Sequence, residues 1–301
     1  MQKEFNIDEE RKKWALDEEK LEENIDSIFA LLSIGCSKSN NPRFILVGGQ
    51  AGSGKSGLVA KRMQDLKGNA IIIDQDELRP MYPDYDKLSS SHTEREEFLI
   101  LNPYIADVIK GLIDRAQKNG YNIILETALQ DPIAFIQNAK DLNAVGYTSE
   151  IDVMAVPEPV ANLSMLKRYC YYVEKDGECR RNTRINPKAI PKLKENLTML
   201  DGKGLFDDIS IYIRAEEEDG LPEKVYSRKS SKDTPPVYAF ERAQKQARKR
   251  AEEINAKNGN DRFVETYKRI KEILESHGEK AQLEKLEEIM ASYEKEKSLE
   301  D

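Results

Sequence analysis

The sequence is poor in the residues that several classes of protein need. Two histidines, His92 and His277, argue against a histidine-based metal site or catalytic triad. The three cysteines have no C-x-x-C spacing and leave an odd one over, which is typical of reduced thiols. No apolar run approaches the roughly 20 residues that span a bilayer. Residues 1–4 carry no apolar signal core. These absences predict a cytoplasmic protein that does not cross a membrane.

Charged residues are abundant, with acids in excess and a formal net charge of -8. This balance gives no general case for nucleic acid or an anionic membrane as partner. The basic cluster Lys245 to Arg250 is followed by Glu252 and Glu253 and has no interleaved aromatic residues. Nucleic-acid binding is therefore a weak hypothesis. The 301 residues leave room for one large or two small domains.

A glycine-rich segment is the most informative motif of the sequence. From position 49 it reads G-x-x-x-x-G-K-S, preceded by the apolar run 44–47 and followed by the helix-forming residues 57–66. Strand, loop and helix are the context of a phosphate-binding loop, whose amides stabilise phosphate oxygens. Lys55 would reach the β- and γ-phosphates, and the Ser56 hydroxyl would bind Mg²⁺. The predicted ATP-binding residues are Gly49, Gln50, Ala51, Gly52, Ser53, Gly54, Lys55 and Ser56.

Further along the chain, apolar runs alternate with helical patterns. We predict buried strands at 70–73, 121–125, 151–156 and 209–213, and helices at 103–119, 133–142 and 187–200. Residues 77–100 are polar, with a predicted turn at 82–85 and a predicted loop at 89–91. The alternation predicts an α/β protein with a P-loop kinase-like three-layer fold and a central, mostly parallel sheet.

Shifts in composition suggest four regions. Residues 1–36 form a helical N-terminal extension, 37–215 the P-loop kinase core, 216–236 a linker, and 237–301 a charged helical C-terminal extension. The extensions either pack on the core, cover the nucleotide site, or bind a partner.

Two carboxylates follow the second strand, and they bear on the reaction. Asp74 and Asp76 would face the same way in an extended backbone at the carboxyl end of a parallel strand. Small-molecule kinases need a base there, within reach of the proton of the attacking hydroxyl. The N-K-x-D motif of regulatory GTPases is absent. Both acids could alternatively assist Mg²⁺ or cap a helix, but the pattern favours a kinase.

Together these segments resemble the zeta toxin family over most of residues 40–215. The resemblance rests on residues 49–56, 68–69, 73–76 with Arg79, 120–127, 154–157, 168–169 and 204–209. It implies a kinase that uses ATP and Mg²⁺ to phosphorylate the 3′-hydroxyl of the amino sugar in UDP-N-acetylglucosamine. It also implies an antitoxin protein as partner.

The resemblance assigns roles to individual residues. It makes Asp76 the general base and gives Glu126, with Thr127 beside it, to the sugar nucleotide. Arg168 matches the first of two arginines that neutralise phosphate charge. The second belongs to an R-x-x-P pattern beginning at Arg184, with Arg181 as the alternative.

Two departures from the family pattern concern the acceptor. Family members commonly read E-G-T where this chain has Glu126-Thr127-Ala128, so the hydroxyl comes one position early. A second substrate-binding acid has no clear match; Lys110 falls near its place, and Asp107 lies one turn earlier. A kinase for another metabolite or nucleotide, and a nucleotide-gated module that binds a partner protein, remain alternatives.

Overall fold

One sheet organises the chain. The structure, a computed structural model, describes residues 5–177, 179, 186–215 and 220–298. Within these residues the strands are β1 (Arg43–Gly48), β2 (Ile71–Asp74), β3 (Ile123–Thr127), β4 (Thr148–Met154), β5 (Asp208–Ile213) and β6 (Glu223–Ser227). Their order is β2-β3-β1-β4-β5-β6, with β6 antiparallel to β5 and the other neighbours parallel. The predicted mostly parallel sheet is confirmed.

Helices cover both faces of the sheet and extend beyond it. They are α1 (Ile7–Lys13), α2 (Glu18–Leu32), α3 (Lys55–Asp65), α4 (Gln75–Leu78), α5 (Tyr85–Ser91), α6 (Glu94–Asn119), α7 (Pro132–Ala144), α8 (Glu158–Asp176), α9 (Ala189–Asp201), α10 (Pro236–Asn258), α11 (Arg262–Ser276) and α12 (Lys280–Ser298). Among the described residues, no helix is both long and apolar enough to cross a membrane.

Strand β1 lies in the middle of the sheet and is buried on both faces. Phe44 and Leu46 join the larger hydrophobic core, and Ile45 and Val47 join a second core beneath α3. A strand buried on both faces needs apolar residues at every position, which accounts for its lack of alternation. One core lies on each face of the sheet, between the strands and the helices that cover them. Helices, sheet and helices are the three layers of a P-loop kinase-like fold.

The loop predicted at residues 89–91 is wrong, whereas the predicted turn at 82–85 is present just before a helix. α5 occupies residues 85–91, and α6 begins at Glu94 behind a capping box formed by Thr93 and Glu96. α6 also continues through Pro103, which has no N–H to donate to the carbonyl of Leu99. That carbonyl instead accepts a hydrogen bond from Arg11 Nε at 3.0 Å, so α1 compensates for the proline.

The chain ends pack against the kinase-like core. α1 and α2 lie on α6, and α11 and α12 form a hairpin against α8. α10 buries Ala239, Phe240 and Ala243 in the larger core. Strand β6 lies inside the segment predicted as a linker, because Val225 and Tyr226 pack on the core and the strand pairs with β5. The sheet therefore extends past the predicted end of the core at residue 215.

Candidate functional site

The phosphate loop lies between β1 and α3, at the point in the sheet where the strand order reverses. β1 has β3 on one side and β4 on the other, so a crevice opens at its carboxyl end. Gly52 and Gly54 have φ values of 72° and 91°, in the region that favours glycine. A Cβ on Gly52 would lie 2.1 Å from the carbonyl oxygen of Ala161. The loop therefore lies directly on α8 and requires glycine at this position.

Several groups of the loop are left short of partners. Gln50 Nε2 and Ser53 Oγ are buried and have no hydrogen-bond partner. Lys55 Nζ lies 3.3 Å from the carbonyl oxygen of Gln50 and 3.9 Å from Glu126 Oε1. The second distance is too long for a hydrogen bond. Unsatisfied buried donors and a cation at a helix N-terminus suit a polyanionic ligand.

Asp74 and Glu126 stand side by side at the ends of β2 and β3. They are partners in the parallel register, so their side chains leave the same face of the sheet. Burial raises the pKa of Asp74, and it raises the pKa of Glu126 to about 7. Burial also lowers the pKa of Lys55, although the charges of Glu126, Asp76 and Asp74 oppose this change. Burial thus favours the neutral forms of both Lys55 and Glu126.

The predicted extended backbone around Asp76 is wrong. The Asp74 side chain accepts a hydrogen bond from the Asp76 amide at 2.8 Å and caps α4, so the chain turns into a helix directly after β2. Asp76 lies in the first turn of that helix with 60% of its side chain exposed. Arg79 Nη1 donates to Asp76 Oδ1 at 3.0 Å. Arg79 thus orients the Asp76 carboxylate, which remains open to solvent.

Arg168 lies on α8 and is exposed. Its charge acts on Lys55 and Glu126, lowering the pKa of each. Electrostatic interactions thus connect five residues of the predicted site: Lys55, Asp74, Asp76, Glu126 and Arg168. Arg184 and its alternative Arg181 lie outside the described residues.

Thr127 is 5% exposed, and its hydroxyl accepts a hydrogen bond from the Leu129 amide at 3.1 Å. Leu129 has a φ of 54°, which makes this turn a tight one. Thr127 therefore helps shape the chain after β3, and its contact with a substrate remains a prediction.

The residues of the loop and of β2 fit a magnesium ion. Ser56 is exposed in the first turn of α3, and Asp74 supplies carboxylate oxygen at the end of β2. Mg²⁺ prefers such oxygen ligands and normally completes its coordination with phosphate and water. Within the described residues no group of three or more His, Cys, Asp or Glu side chains could hold a metal by itself.

Sequence reasoning missed two acids near Asp76. Lys110 and Asp107 are exposed on α6, but Glu94 and Glu97 belong to the first turn of the same helix. Burial raises the pKa of Glu94, and the charges of Glu97, Arg79 and Asp76 also act on it. Glu97 is buried and accepts a hydrogen bond from the Tyr85 hydroxyl at 3.1 Å. The capping signal T-x-x-E at residues 93–96 could have revealed the early start of this helix.

Sequence reasoning also missed Arg214, which follows β5 directly. Its Nη2 donates to the carbonyl oxygen of Gly52 and, at 3.1 Å, to Ser164 Oγ on α8. Its Nε donates to the carbonyl oxygen of Ser53 at 3.3 Å. Its position at the carboxyl end of a parallel strand was the available signal, because ligand-binding residues gather at that edge.

Comparison with known proteins agrees with this geometry. A family model described as zeta toxin matches residues 30–229. The chain is 29% identical over 283 residues to Toxin zeta of Enterococcus hirae, covering 93% of this chain and 92% of the relative. It is 26% identical over 185 residues to Toxin PezT of Streptococcus pneumoniae serotype 4, covering 61% of this chain and 73% of the relative.

The fold also resembles a solved structure from a characterisation of the PezAT chromosomal toxin-antitoxin system of Streptococcus pneumoniae. The TM-score is 0.66 at 22% identity, and the match covers 76% of this chain and 88% of that chain. This likeness shows the fold. Because the family model spans more than half of the sequence, the chain belongs to the zeta toxin family.

Proposed function

We propose that the protein is an ATP-dependent kinase whose phosphate acceptor is a hydroxyl of a sugar nucleotide. The observation that carries the proposal is the exposed Asp76 carboxylate, whose negative charge acts on Lys55 in a complete phosphate loop. The 3′-hydroxyl of UDP-N-acetylglucosamine is the proposed acceptor, which rests on membership of the zeta toxin family.

The loop and α3 hold the donor. The loop from Gly49 to Ser56 would bind the triphosphate through its free amides and the Lys55 ammonium, and the Ser56 hydroxyl would hold the magnesium ion. Bound Mg²⁺ would neutralise charge on the phosphate oxygens. A polyanion would also supply the negative charge that Lys55 lacks, since its nearest carboxylate is 3.9 Å away.

The acceptor half is built on Asp76. Its carboxylate accepts the proton of the acceptor hydroxyl as the hydroxyl oxygen bonds to the γ-phosphorus and ADP leaves. Arg79 orients Asp76 through the hydrogen bond to Oδ1. Glu126, with a pKa of about 7, can donate or accept a hydrogen bond to the sugar nucleotide near neutral pH. Thr127 is proposed to assist it through the turn that it shapes.

Two arginines close the site in this proposal. The positive charge of Arg168 on α8 acts on Lys55, and Arg184 comes later in the sequence. Guanidinium groups stabilise phosphate oxygens as charge builds up on them in the transition state. Arg181 is the alternative to Arg184, and separate substitutions of the two would decide between them.

A transfer assay tests the proposal. Labelled ATP would be incubated with UDP-N-acetylglucosamine and with a panel of other sugars, nucleotides and sugar nucleotides. Asp76→Asn should lower kcat by about 10²–10⁴-fold while ATP affinity is retained. Asp114→Asn, at an exposed position of α6, is the matched control. Transfer only to another acceptor would overturn the substrate. ATP binding without transfer to any acceptor would favour a nucleotide-gated binding module.

An antitoxin protein is the proposed partner, and the cytoplasm the proposed location. One solved structure of similar fold comes from a study of a toxin-antitoxin system. Growth arrest on expression, relieved by co-expression of a neighbouring reading frame, would support this partner. Growth unaffected by expression of the active kinase would contradict it.

A further inference from the structure

Arg214 joins three elements that the proposed reaction needs in a fixed relation. It follows β5, contacts the phosphate loop through two carbonyls, and contacts α8 through Ser164. A Cβ placed on Gly54 would lie 3.5 Å from Arg214 Nε, so the guanidinium lies close behind the loop. One planar group therefore bonds to both the loop and the helix beside it.

The two carbonyls set the orientation of the loop's peptide planes. A trans peptide is planar, so its C=O and the following N–H point in opposite directions. Holding the carbonyl of Ser53 thus turns the Gly54 amide away from Arg214. Holding the carbonyl of Gly52 orients the Ser53 amide, which donates to the Gln50 carbonyl at 3.1 Å and closes the loop. Amide direction decides whether such a loop can bind phosphate.

The contact with α8 connects the loop to Arg168. Ser164 and Arg168 are four residues apart on the helix, so they lie on the same face in adjacent turns. Gly52 also lies against Ala161, one turn earlier on α8. The position of the loop relative to Arg168 therefore depends on contacts made by Gly52 and Arg214.

Arg214 is partly buried, and a charge removed from water is destabilised unless an opposite charge compensates for it. Burial lowers the pKa of Arg214, and its hydrogen-bond acceptors here are neutral carbonyl and hydroxyl oxygens. A triphosphate on the other side of the loop would supply the opposing charge.

We propose that Arg214 is a positioning residue for phosphoryl transfer, which orients the phosphate loop and fixes it to the helix that carries Arg168. The inference rests on the proposed kinase function. Arg214 itself would act through the loop and α8, whose groups would contact the nucleotide in the proposed reaction.

The test compares Arg214→Lys, Arg214→Ala and Ser164→Ala in the full chain. Lysine keeps the charge, but its single nitrogen cannot reproduce the planar arrangement in which Nε and Nη2 of Arg214 reach the loop and α8 from two separate positions. We therefore expect kcat/KM to fall about 10–100-fold. Ser164→Ala removes the link between Arg214 and α8, together with a hydrogen bond from the Ser164 hydroxyl to the Val160 carbonyl within the helix. We expect kcat to fall about 3–10-fold while KM for ATP stays unchanged. Guanidinium ion at millimolar concentration should partly restore the activity of Arg214→Ala. Arg228→Lys, which follows β6 and bonds to Asp201, is the matched control.

Two outcomes would overturn the inference. One is kinetics within twofold of the wild type for both Arg214→Lys and Ser164→Ala. The other is an equal loss of activity in Arg228→Lys, which would indicate a general effect on folding. Thermal unfolding of each variant separates misfolding from misplacement, and Arg214→Lys remains informative if Arg214→Ala does not fold. Affinity for a fluorescent ATP analogue should fall with Arg214→Lys even if no acceptor is phosphorylated, which distinguishes this inference from failure of the proposed function.

Discussion

The two ends of α3 carry charged clusters that differ in how well they are satisfied. At its start, Lys55 approaches Glu126 no closer than 3.9 Å, and burial opposes the charge on both. Two turns later, Arg62 is 5% exposed and pairs with Asp152, which is fully buried. Both clusters consist of a cation of α3 and acids at strand positions. We call them the loop cluster (Lys55, Glu126) and the buried network (Arg62, Asp152 and Glu150).

The buried network is complete within the protein. Arg62 Nη2 donates to Asp152 Oδ1 at 2.7 Å and to Glu150 Oε2 at 3.0 Å. Arg43 Nε also donates to Glu150, at 2.9 Å. Burial by itself would lower the pKa of Arg62, but the hydrogen bond and charge of Asp152 outweigh it and raise the pKa. The comparison teaches that a satisfied ion network anchors a helix, whereas an unsatisfied one is suited to a ligand.

The largest expected effect is the loss of activity in Lys55→Met. Removing this cation should lower kcat for phosphate transfer by about 10³-fold or more, since its charge faces the transferred phosphate. The midpoint of thermal unfolding should hardly change, because Glu126 can take a proton when its cation is removed. Steady-state kinetics and thermal unfolding of the same preparation give both quantities. Activity within tenfold of the wild type would refute this role of Lys55.

Arg62→Met should show the reverse pattern. Removing one partner of a buried ion pair leaves Asp152 buried without its cation, and the free energy of unfolding should fall by about 3–5 kcal/mol. Denaturant unfolding measures this loss. The double variant Arg62→Met, Asp152→Leu should recover part of it, because both charges are then gone. Full stability in Arg62→Met alone would show that the network contributes little.

Nucleotide binding at the loop cluster should stabilise the folded protein. ATP with Mg²⁺ at about 100 times its Kd should raise the free energy of unfolding of the wild type by about 2.7 kcal/mol. The same addition should leave Lys55→Met nearly unchanged. Thermal unfolding with and without nucleotide gives the comparison. Equal stabilisation of both proteins would place the nucleotide elsewhere.

The smallest expected effect is a pH dependence due to Glu126. The pKa of Glu126 in the folded protein, about 7, lies above its ordinary value of 4.5, so the folded state binds the proton more tightly. This contribution to stability is fully present below about pH 4.5 and is lost as the pH rises through about 7. Between about pH 5 and about pH 8, the wild type should lose roughly 2 kcal/mol of unfolding free energy relative to Glu126→Gln. If the unfolding free energies of the two proteins change with pH by the same amount across this range, the raised pKa is contradicted.

Prediction from sequence was most successful where a local pattern decides the structure. The phosphate loop has strict spacing, and the strands at β1, β2, β3, β4 and β5 are continuous apolar runs, so both could be found without contacts. Errors arose where side chains act on the backbone. Asp74 caps α4 and removes Asp76 from the strand. Arg11 donates a hydrogen bond to the Leu99 carbonyl, which Pro103 cannot pair. α6 therefore begins at Glu94 and not at the proline.

The sequence by itself determined the phosphate-loop pattern and the class of fold. Glycines at fixed spacing, Lys55 and the buried strands are local properties, because each depends on backbone freedom or on burial of consecutive residues. Only the tertiary structure decided which charges are satisfied. Lys55 and Arg62 look alike in the sequence, yet one meets a distant acid and the other a hydrogen-bonded network. Arg214 likewise acquires its contacts from β5 ending beside the loop, since ionic and hydrogen-bond energies depend on distance and burial that a linear pattern does not contain.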